Sequence, residues 1–222
     1  MLERSVEKDP FPPHMAYLAD TYREIAKANH RSSQPTRELE YQSQILLENA
    51  VKMYEDCVED TNASTVVLTR CGFGLIKLPK KYRNVKLAKE AFERAMKSGS
   101  RRATIGMGHL LDWCMDDYKE ALKYFEEAYS AESIITGLEI IKMKFKIDDD
   151  YNPLEDCDKF IKDLEGMMEE RHKHELIVAY CMLKAEYLLV KREDLLAAVR
   201  ECRIAMDQQC DSKYLWVSIH LH

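Results

Sequence analysis

The stretch Ala88–Lys97 reads A-K-E-A-F-E-R-A-M-K and sets the pattern for the rest of the chain. Small residues at Ala88 and Ala95 stand on either side of Phe92, four and three residues away, so all three lie on one helix face. The two alanines let a neighbouring helix approach closely, and the phenylalanine fills the groove between the helices. The stretch therefore predicts a helix that packs closely against its neighbours.

The same order of a small, a large and a small residue recurs along the chain. The first positions of the copies are residues 50, 88, 121, 157 and 198, at intervals of 38, 33, 36 and 41 residues. A two-helix unit that returns at such intervals indicates stacked helical hairpins. The sequence predicts an all-α fold, a tetratricopeptide-like right-handed superhelix of about five antiparallel helical hairpins plus a terminal helix.

Turn residues between the apolar stretches give the expected boundaries. Residues 1–13 hold three prolines around Phe11 and are predicted to form an N-terminal lead-in, because proline favours the start of a helix over its interior. The repeat array is expected to occupy residues 14–222. Its hairpins are predicted at 14–59, 65–97, 103–129, 133–169 and 173–208, with a terminal helix at 213–222. The apolar face of that helix needs a partner, and another chain could complete the array.

Composition limits the classes of protein that fit this sequence. With 46% hydrophobic and 32% charged residues, the chain can bury a core and stay soluble. A net charge of −6 argues against nonspecific attraction to nucleic acid, although 33 Lys and Arg residues leave room for a local basic groove. No apolar run approaches the ~20 residues that cross a bilayer. The seven cysteines include no CxxC pair and indicate reduced thiols. We therefore expect a cytoplasmic protein without a membrane partner.

Residues that could carry catalysis or bind a metal have structural explanations here. Paired carboxylates such as Asp116 and Asp117 stand at helix starts or turns, where their oxygens can accept from free backbone amides. His172 and His174 alternate along the chain, so they point apart on a helix. Phosphate-binding glycine loops, nucleophile elbows and zinc-protease motifs do not occur. The sequence predicts no enzyme, no metal site and no cofactor. A hydrolase or transferase stays open as an alternative to the binding functions described below.

Basic and aromatic side chains on the first helix of each hairpin are the candidate binding residues. First helices line the concave side of stacked hairpins, and interleaved Tyr and Arg side chains can stack on bases and hold phosphates. An ordinary solvated face would show the same residue types, so that interpretation also stays open. The candidates are Tyr17, Arg23, Arg70, Arg101, Arg102, His109, Lys142, Lys144 and Lys146.

Parts of the sequence resemble one branch of the tetratricopeptide family. Residues 14–22, the loop Q-P-T-R-E-L-E at 34–40 and the helix I-L-L-E-N-A-V-K-M-Y-E-D-C-V-E-D at 45–60 are similar to the interferon-induced proteins with tetratricopeptide repeats. The stretches V-V-L-T-R-C-G-F-G-L and L-A-K-E-A-F-E-R-A-M resemble the next repeat of that family. The resemblance covers residues 13–97, and the remaining repeats are generic.

This resemblance implies a function that the repeats alone do not specify. It implies a cytosolic antiviral effector of innate immunity, which sequesters foreign RNA, single-stranded or with a 5′-triphosphate, in a basic channel between helical hairpins. It also implies protein partners, and the open C-terminal helix offers a place for a homo- or hetero-oligomer to form. The alternative function is a general tetratricopeptide scaffold or co-chaperone that receives an extended protein peptide in its groove.

Overall fold

The computed structural model describes residues 11–32, 36–129, 134–165 and 170–207. These ranges contain ten α-helices and no β-strand, which confirms the predicted all-α class. The chain divides into two compact units, Met1–Asp117 and Tyr118–His222. The predicted third hairpin, 103–129, crosses this boundary. It remains a prediction, as does the division of the chain into an array of five hairpins.

Five helices in two layers build the first unit. Helix α1 packs on α2 and α3 packs on α4, while α5 contacts both α3 and α4. Contacts also join α1 to α3 and α3 to α5, so the odd-numbered helices form one layer; α2 and α4 form the other. The helices are α1 Pro12–His30, α2 Arg37–Glu59, α3 Thr65–Lys77, α4 Val85–Lys97 and α5 Arg101–Met115.

Polar side chains fix where the helices of the first unit begin. Thr36, Ser64, Asn84 and Ser100 each precede a helix and accept a hydrogen bond from the backbone N–H three residues later, at 3.2, 3.4, 3.1 and 3.2 Å. Each bond satisfies one of the free amides in a first helical turn. Gly99 follows α4 with φ of +78°, a left-handed conformation that glycine adopts readily at the end of a helix.

The side chain of Phe92 is central to the packing of the first unit. It is fully buried between Ala88 and Ala95, as the opening pattern predicts. A Cβ atom added at Gly72 in α3 or at Gly106 in α5 would lie 2.6 or 2.3 Å from the Phe92 ring. Two helices therefore approach α4 through glycines, and the spacing of α3 and α5 depends on this ring.

The described part of the second unit also contains five helices. Contacts join each helix to the next one along the chain, and α7 also contacts α9. Burial raises the pKa of the Cys157 thiol to about 12 and that of Cys181 to about 11, so both stay protonated and pack as small apolar groups. The helices are α6 Tyr118–Ala128, α7 Ile134–Ile147, α8 Leu154–Glu165, α9 Glu170–Val190 and α10 Leu195–Asp207.

The described ranges also bear on the expectations about the cysteines, membrane-spanning helices and the two ends of the chain. Six of the seven cysteines lie there, and none of the six forms a disulfide bond. No helix in the same ranges has both the length and the apolarity that crossing a bilayer requires. Most of the predicted lead-in (1–10) and the predicted terminal helix (213–222) lie outside the described residues.

Candidate binding surface on the first unit

A network of hydrogen bonds centred on Asp20 joins α1, α2 and α3. The Arg70 Nε donates to Asp20 Oδ2 at 2.6 Å, and the Tyr54 hydroxyl donates to Asp20 Oδ1 at 2.6 Å. Arg23 Nη2 lies 3.6 Å from the same Oδ1. The Arg70 guanidinium also covers the Tyr17 ring, 3.6 Å from its centre. Three of the predicted candidates, Tyr17, Arg23 and Arg70, therefore meet around one carboxylate.

Burial and charge both affect the groups in this network. Burial, followed by the charge of Asp20, raises the pKa of the Tyr54 hydroxyl far above its ordinary value, so the hydroxyl remains a hydrogen-bond donor. The carboxylate of Asp20 provides the negative charge opposite Arg70, which is two-thirds buried. Arg70 is therefore already engaged within the protein.

A second cluster surrounds Phe73, one helical turn further along α3. The Lys77 ammonium lies 5.5 Å from the centre of the Phe73 ring, and the Arg102 guanidinium lies 5.8 Å from it. The His109 ring is 6.2 Å from Phe73 and 4.4 Å from Trp113, nearly parallel to the latter at 31°. Residues 73 and 77 on α3 and 102, 109 and 113 on α5 thus form one aromatic and basic patch, which we call the Phe73 patch.

The charge of the Phe73 patch differs from that of the Asp20 network. Burial lowers the pKa of Lys77, and the neighbouring guanidinium groups of Arg23 and Arg102 lower it further. Asp20 and Glu24 act in the opposite direction. Neither Lys77 nor Arg102 forms an ion pair in the part of the chain that the structure describes. Positive charge is therefore concentrated where no carboxylate is in contact with it.

The candidate lysines of the second unit have partners of their own. Lys142 Nζ lies 3.1 Å from Glu139 Oε1 in the same helix, and Lys144 Nζ lies 3.8 Å from Asp156 Oδ2 in α8. The ammonium of Lys146 lies 4.9 Å from the centre of a tyrosine ring in α6. All three are on α7, as predicted, but two of the three charges are balanced by carboxylates.

The sequence identified part of the Phe73 patch and missed the rest. Arg102 and His109 were predicted, and Arg101 is exposed beside Arg102 in the first turn of α5. Phe73, Lys77 and Trp113 were not among the candidates. Their positions could have been found by extending the helix faces, because residues 70, 73 and 77 share one face of α3 and residues 102, 109 and 113 share one face of α5.

The side chains of the Phe73 patch combine positive charge with aromatic rings. Two cations flank an aromatic ring, and the Trp113 ring beyond them is 41% exposed. A flat ring can stack on such an aromatic side chain while the cations contact negative oxygens.

Comparison with known proteins gave no relative: no family model, curated protein or solved structure matches the chain.

Proposed function

We propose that the chain is a noncatalytic binding module that captures single-stranded RNA at the Phe73 patch. The observation that supports this most directly is the pair of cations around Phe73. Lys77 and Arg102 are each within 6 Å of the ring centre, and neither is paired with a carboxylate among the described residues. Burial, followed by the charges of Arg23 and Arg102, lowers the pKa of Lys77, and a phosphate placed between the two cations would stabilise its ammonium form.

Aromatic side chains favour RNA over an acidic peptide as the ligand. The Trp113 ring lies 4.4 Å from that of His109 at a tilt of 31°, and Tyr17 is 51% exposed beneath Arg70, one helical turn before Phe73. Stacking a base on an aromatic ring contributes about 1–3 kcal/mol. Such stacking tolerates any base, so the surface is suited to single strands without a sequence preference. An acidic peptide would use the cations but would leave these rings without a flat partner.

We also propose a tetratricopeptide-like arrangement of the helices and a role for the module in the cell. In it, the odd-numbered helices of the first unit line the concave side of a tetratricopeptide-like superhelix, and their mutual contacts support that arrangement. The module acts as an innate antiviral effector in the cytoplasm, as the resemblance to interferon-induced proteins with tetratricopeptide repeats implies. Ligands with a 5′-triphosphate are included, because they add negative oxygens for the two cations.

The test is to measure binding of a fluorescently labelled single-stranded RNA by anisotropy, with and without a 5′-triphosphate. Arg102→Glu and Lys77→Glu should each weaken binding by roughly tenfold, because each replaces a phosphate-contacting cation with a like charge. Removing one contact should also reduce the slope of log affinity against log salt by about 0.7.

Arg101→Glu is the matched control, because it makes the same charge change one residue away. Its side chain points about 100° away from that of Arg102 on the helix, so the affinity should fall by much less. Equal losses for both variants would mean that only overall charge matters and would contradict a defined site. Absence of RNA binding together with binding of an acidic peptide would assign the patch to a protein ligand.

A second candidate function is a scaffold that receives an extended protein segment, and one groove favours it. The groove holds about 460 Å³ along α1, with apolar walls from Ile25 and Ala28 and carboxylates from Asp20 and Glu24. Arg70 and Arg23 already pair with these two carboxylates, so the groove would suit a segment that is mainly apolar. Ile25→Asp would weaken such a complex and leave the RNA affinity at the Phe73 patch unchanged.

A further inference from the structure

Two cysteines of the first unit lie side by side where α1, α2 and α3 meet. Cys57 is in the last turn of α2 and Cys71 is in the middle of α3, and both are fully buried. Cys71 donates a hydrogen bond to the sulfur of Cys57, whose own thiol donates to the backbone oxygen of Pro12 at 3.3 Å. Both cysteines are free thiols. We call Cys57 and Cys71 the α2–α3 thiol pair.

The contact makes the two thiols chemically unequal. The hydrogen bond from Cys71 stabilises a thiolate at Cys57 and lowers the pKa of Cys57, although burial and the charges of Asp56 and Asp60 act in the opposite direction. The same hydrogen bond, followed by burial, raises the pKa of Cys71. Because the thiolate is the form that attacks an oxidant, Cys57 should react first and Cys71 second.

A second pair of buried cysteines provides a comparison. Cys157 on α8 and Cys181 on α9 are also buried, and they are close enough for a charge on Cys181 to affect the pKa of Cys157. The Cys181 thiol, however, donates its hydrogen bond to Glu201. Burial raises the pKa of both thiols, so neither has a stabilised thiolate. The α2–α3 thiol pair therefore differs from these two cysteines in the direct contact between its sulfur atoms.

We propose that the α2–α3 thiol pair is a site of reversible oxidation, at which hydrogen peroxide converts the two thiols into one disulfide bond. In the first step the Cys57 thiolate attacks a peroxide oxygen, the O–O bond breaks, and hydroxide leaves and takes up a proton; Cys57 becomes a sulfenic acid. In the second step the Cys71 sulfur attacks the sulfur of Cys57, the S–O bond breaks and water leaves. Two thiols are oxidised and one peroxide is reduced to water. Two molecules of a small thiol reverse the change by exchange.

The position of the pair at helix ends gives a small oxidant access. Cys57 lies two residues before the end of α2, and Pro12, which accepts its hydrogen bond, is the first residue of α1. Helix ends open locally more easily than helix interiors do. Sulfur atoms in hydrogen-bond contact need only a small movement to reach the ~2.05 Å of an S–S bond. The disulfide would fix the end of α2 to the middle of α3.

The test treats the folded full chain with hydrogen peroxide, alkylates the remaining thiols in denaturant and identifies linked peptides by mass spectrometry. We expect a loss of two alkylatable thiols, with the peptides of Cys57 and Cys71 joined by a bond that dithiothreitol removes, while Cys157 and Cys181 are alkylated. In Cys71→Ala the second step is impossible, so dimedone should label a sulfenic acid at Cys57. In Cys57→Ala, dimedone should leave Cys71 unlabelled.

The unsubstituted chain decides the result even if a variant folds poorly. Absence of a link between Cys57 and Cys71 would overturn the proposal, and so would a link that appears only as circular dichroism shows the helices being lost. Equal linking of Cys157 to Cys181 would mean that contact between thiols is not what matters. Oxidation confined to the half-buried Cys114 and Cys202 would mean that exposure alone decides, which also overturns the proposal. None of these outcomes depends on RNA binding.

Discussion

Lys184 and Lys77 are both on helices but differ in the side chains that surround their ammonium groups. Lys184, on α9, lies 2.8 Å from Asp158 Oδ1 and 2.9 Å from Glu201 Oε1. Burial opposes its charged form, but these two hydrogen bonds raise the pKa of Lys184. Burial, followed by the charges of Arg23 and Arg102, lowers the pKa of Lys77 on α3. A lysine held by two carboxylates stabilises the fold, whereas a lysine beside two cations is available to an anion.

The comparison predicts the largest loss of stability at Lys184. Replacing it with methionine leaves the carboxylate of Glu201 buried without a counterion, and even in the intact protein Glu201 Oε2 accepts no hydrogen bond from the described residues. Only 13% of the Lys184 side chain is exposed. Removing one member of such a pair should cost about 3 kcal/mol of the free energy of unfolding, measured by urea denaturation.

Lys144→Met is the control for this prediction. Lys144 and Asp156 are 3.8 Å apart, with side chains that are 40% and 38% exposed, so water and salt screen their attraction. The cost should stay below about 1 kcal/mol. A loss at Lys144 as large as that at Lys184 would show that burial does not distinguish the two lysines.

An intermediate loss of stability is expected when Asp20 is replaced, because this carboxylate bonds to Tyr54 within the fold and to Arg70, a candidate binding residue. Asp20→Asn removes the charge that Arg70 and Tyr54 contact and should lower the free energy of unfolding by about 2 kcal/mol. The same substitution leaves Arg70 without its counterion, whereas Arg23 still lies 3.0 Å from Glu24 Oε1. RNA affinity should therefore rise roughly threefold, the effect of one unit charge about 7 Å away in water. Weaker RNA binding would mean instead that Asp20 holds Arg70 in position for the ligand.

Much of the fold could be predicted from the sequence because its determinants are local. The triplet around Phe92 acts within a few residues, and its burial agrees with the pattern; the serine caps and the turn at Gly99 are equally local. Charge pairing could not be predicted in the same way. Asp20 lies fifty positions before Arg70 in the chain. Only the packing of α1 on α3 brings these two side chains together, so composition could not show which arginine is neutralised.

The dependence of charge pairing on tertiary packing also explains why the sequence identified only part of the candidate site. Arg102 was identified because it is basic and on a first helix, yet the three lysines of α7 met that criterion equally well. What separates them is whether a carboxylate lies nearby, as it does for Lys142 at 3.1 Å. Phe73 was overlooked because an aromatic residue in an apolar helix face is most often part of the core. Its role depends on the cations that a neighbouring helix supplies.

The smallest expected effect is a change of stability with pH that depends on Lys77. In the unfolded chain its pKa is 10.5, and in the folded protein it is lower because of burial and of Arg23 and Arg102, with Asp20 and Glu24 opposing. Between the lowered value and 10.5 the unfolded state binds more protons, so the contribution of Lys77 to stability rises with pH. The stability difference between the protein and Lys77→Met should therefore change in favour of the protein as pH rises toward that value. Tripolyphosphate, which survives alkaline solution, should abolish the trend by stabilising the ammonium. A trend of the opposite sign would mean that Asp20 and Glu24 outweigh both burial and the two arginines around Lys77, and the Phe73 patch would then have no unbalanced charge to offer a phosphate.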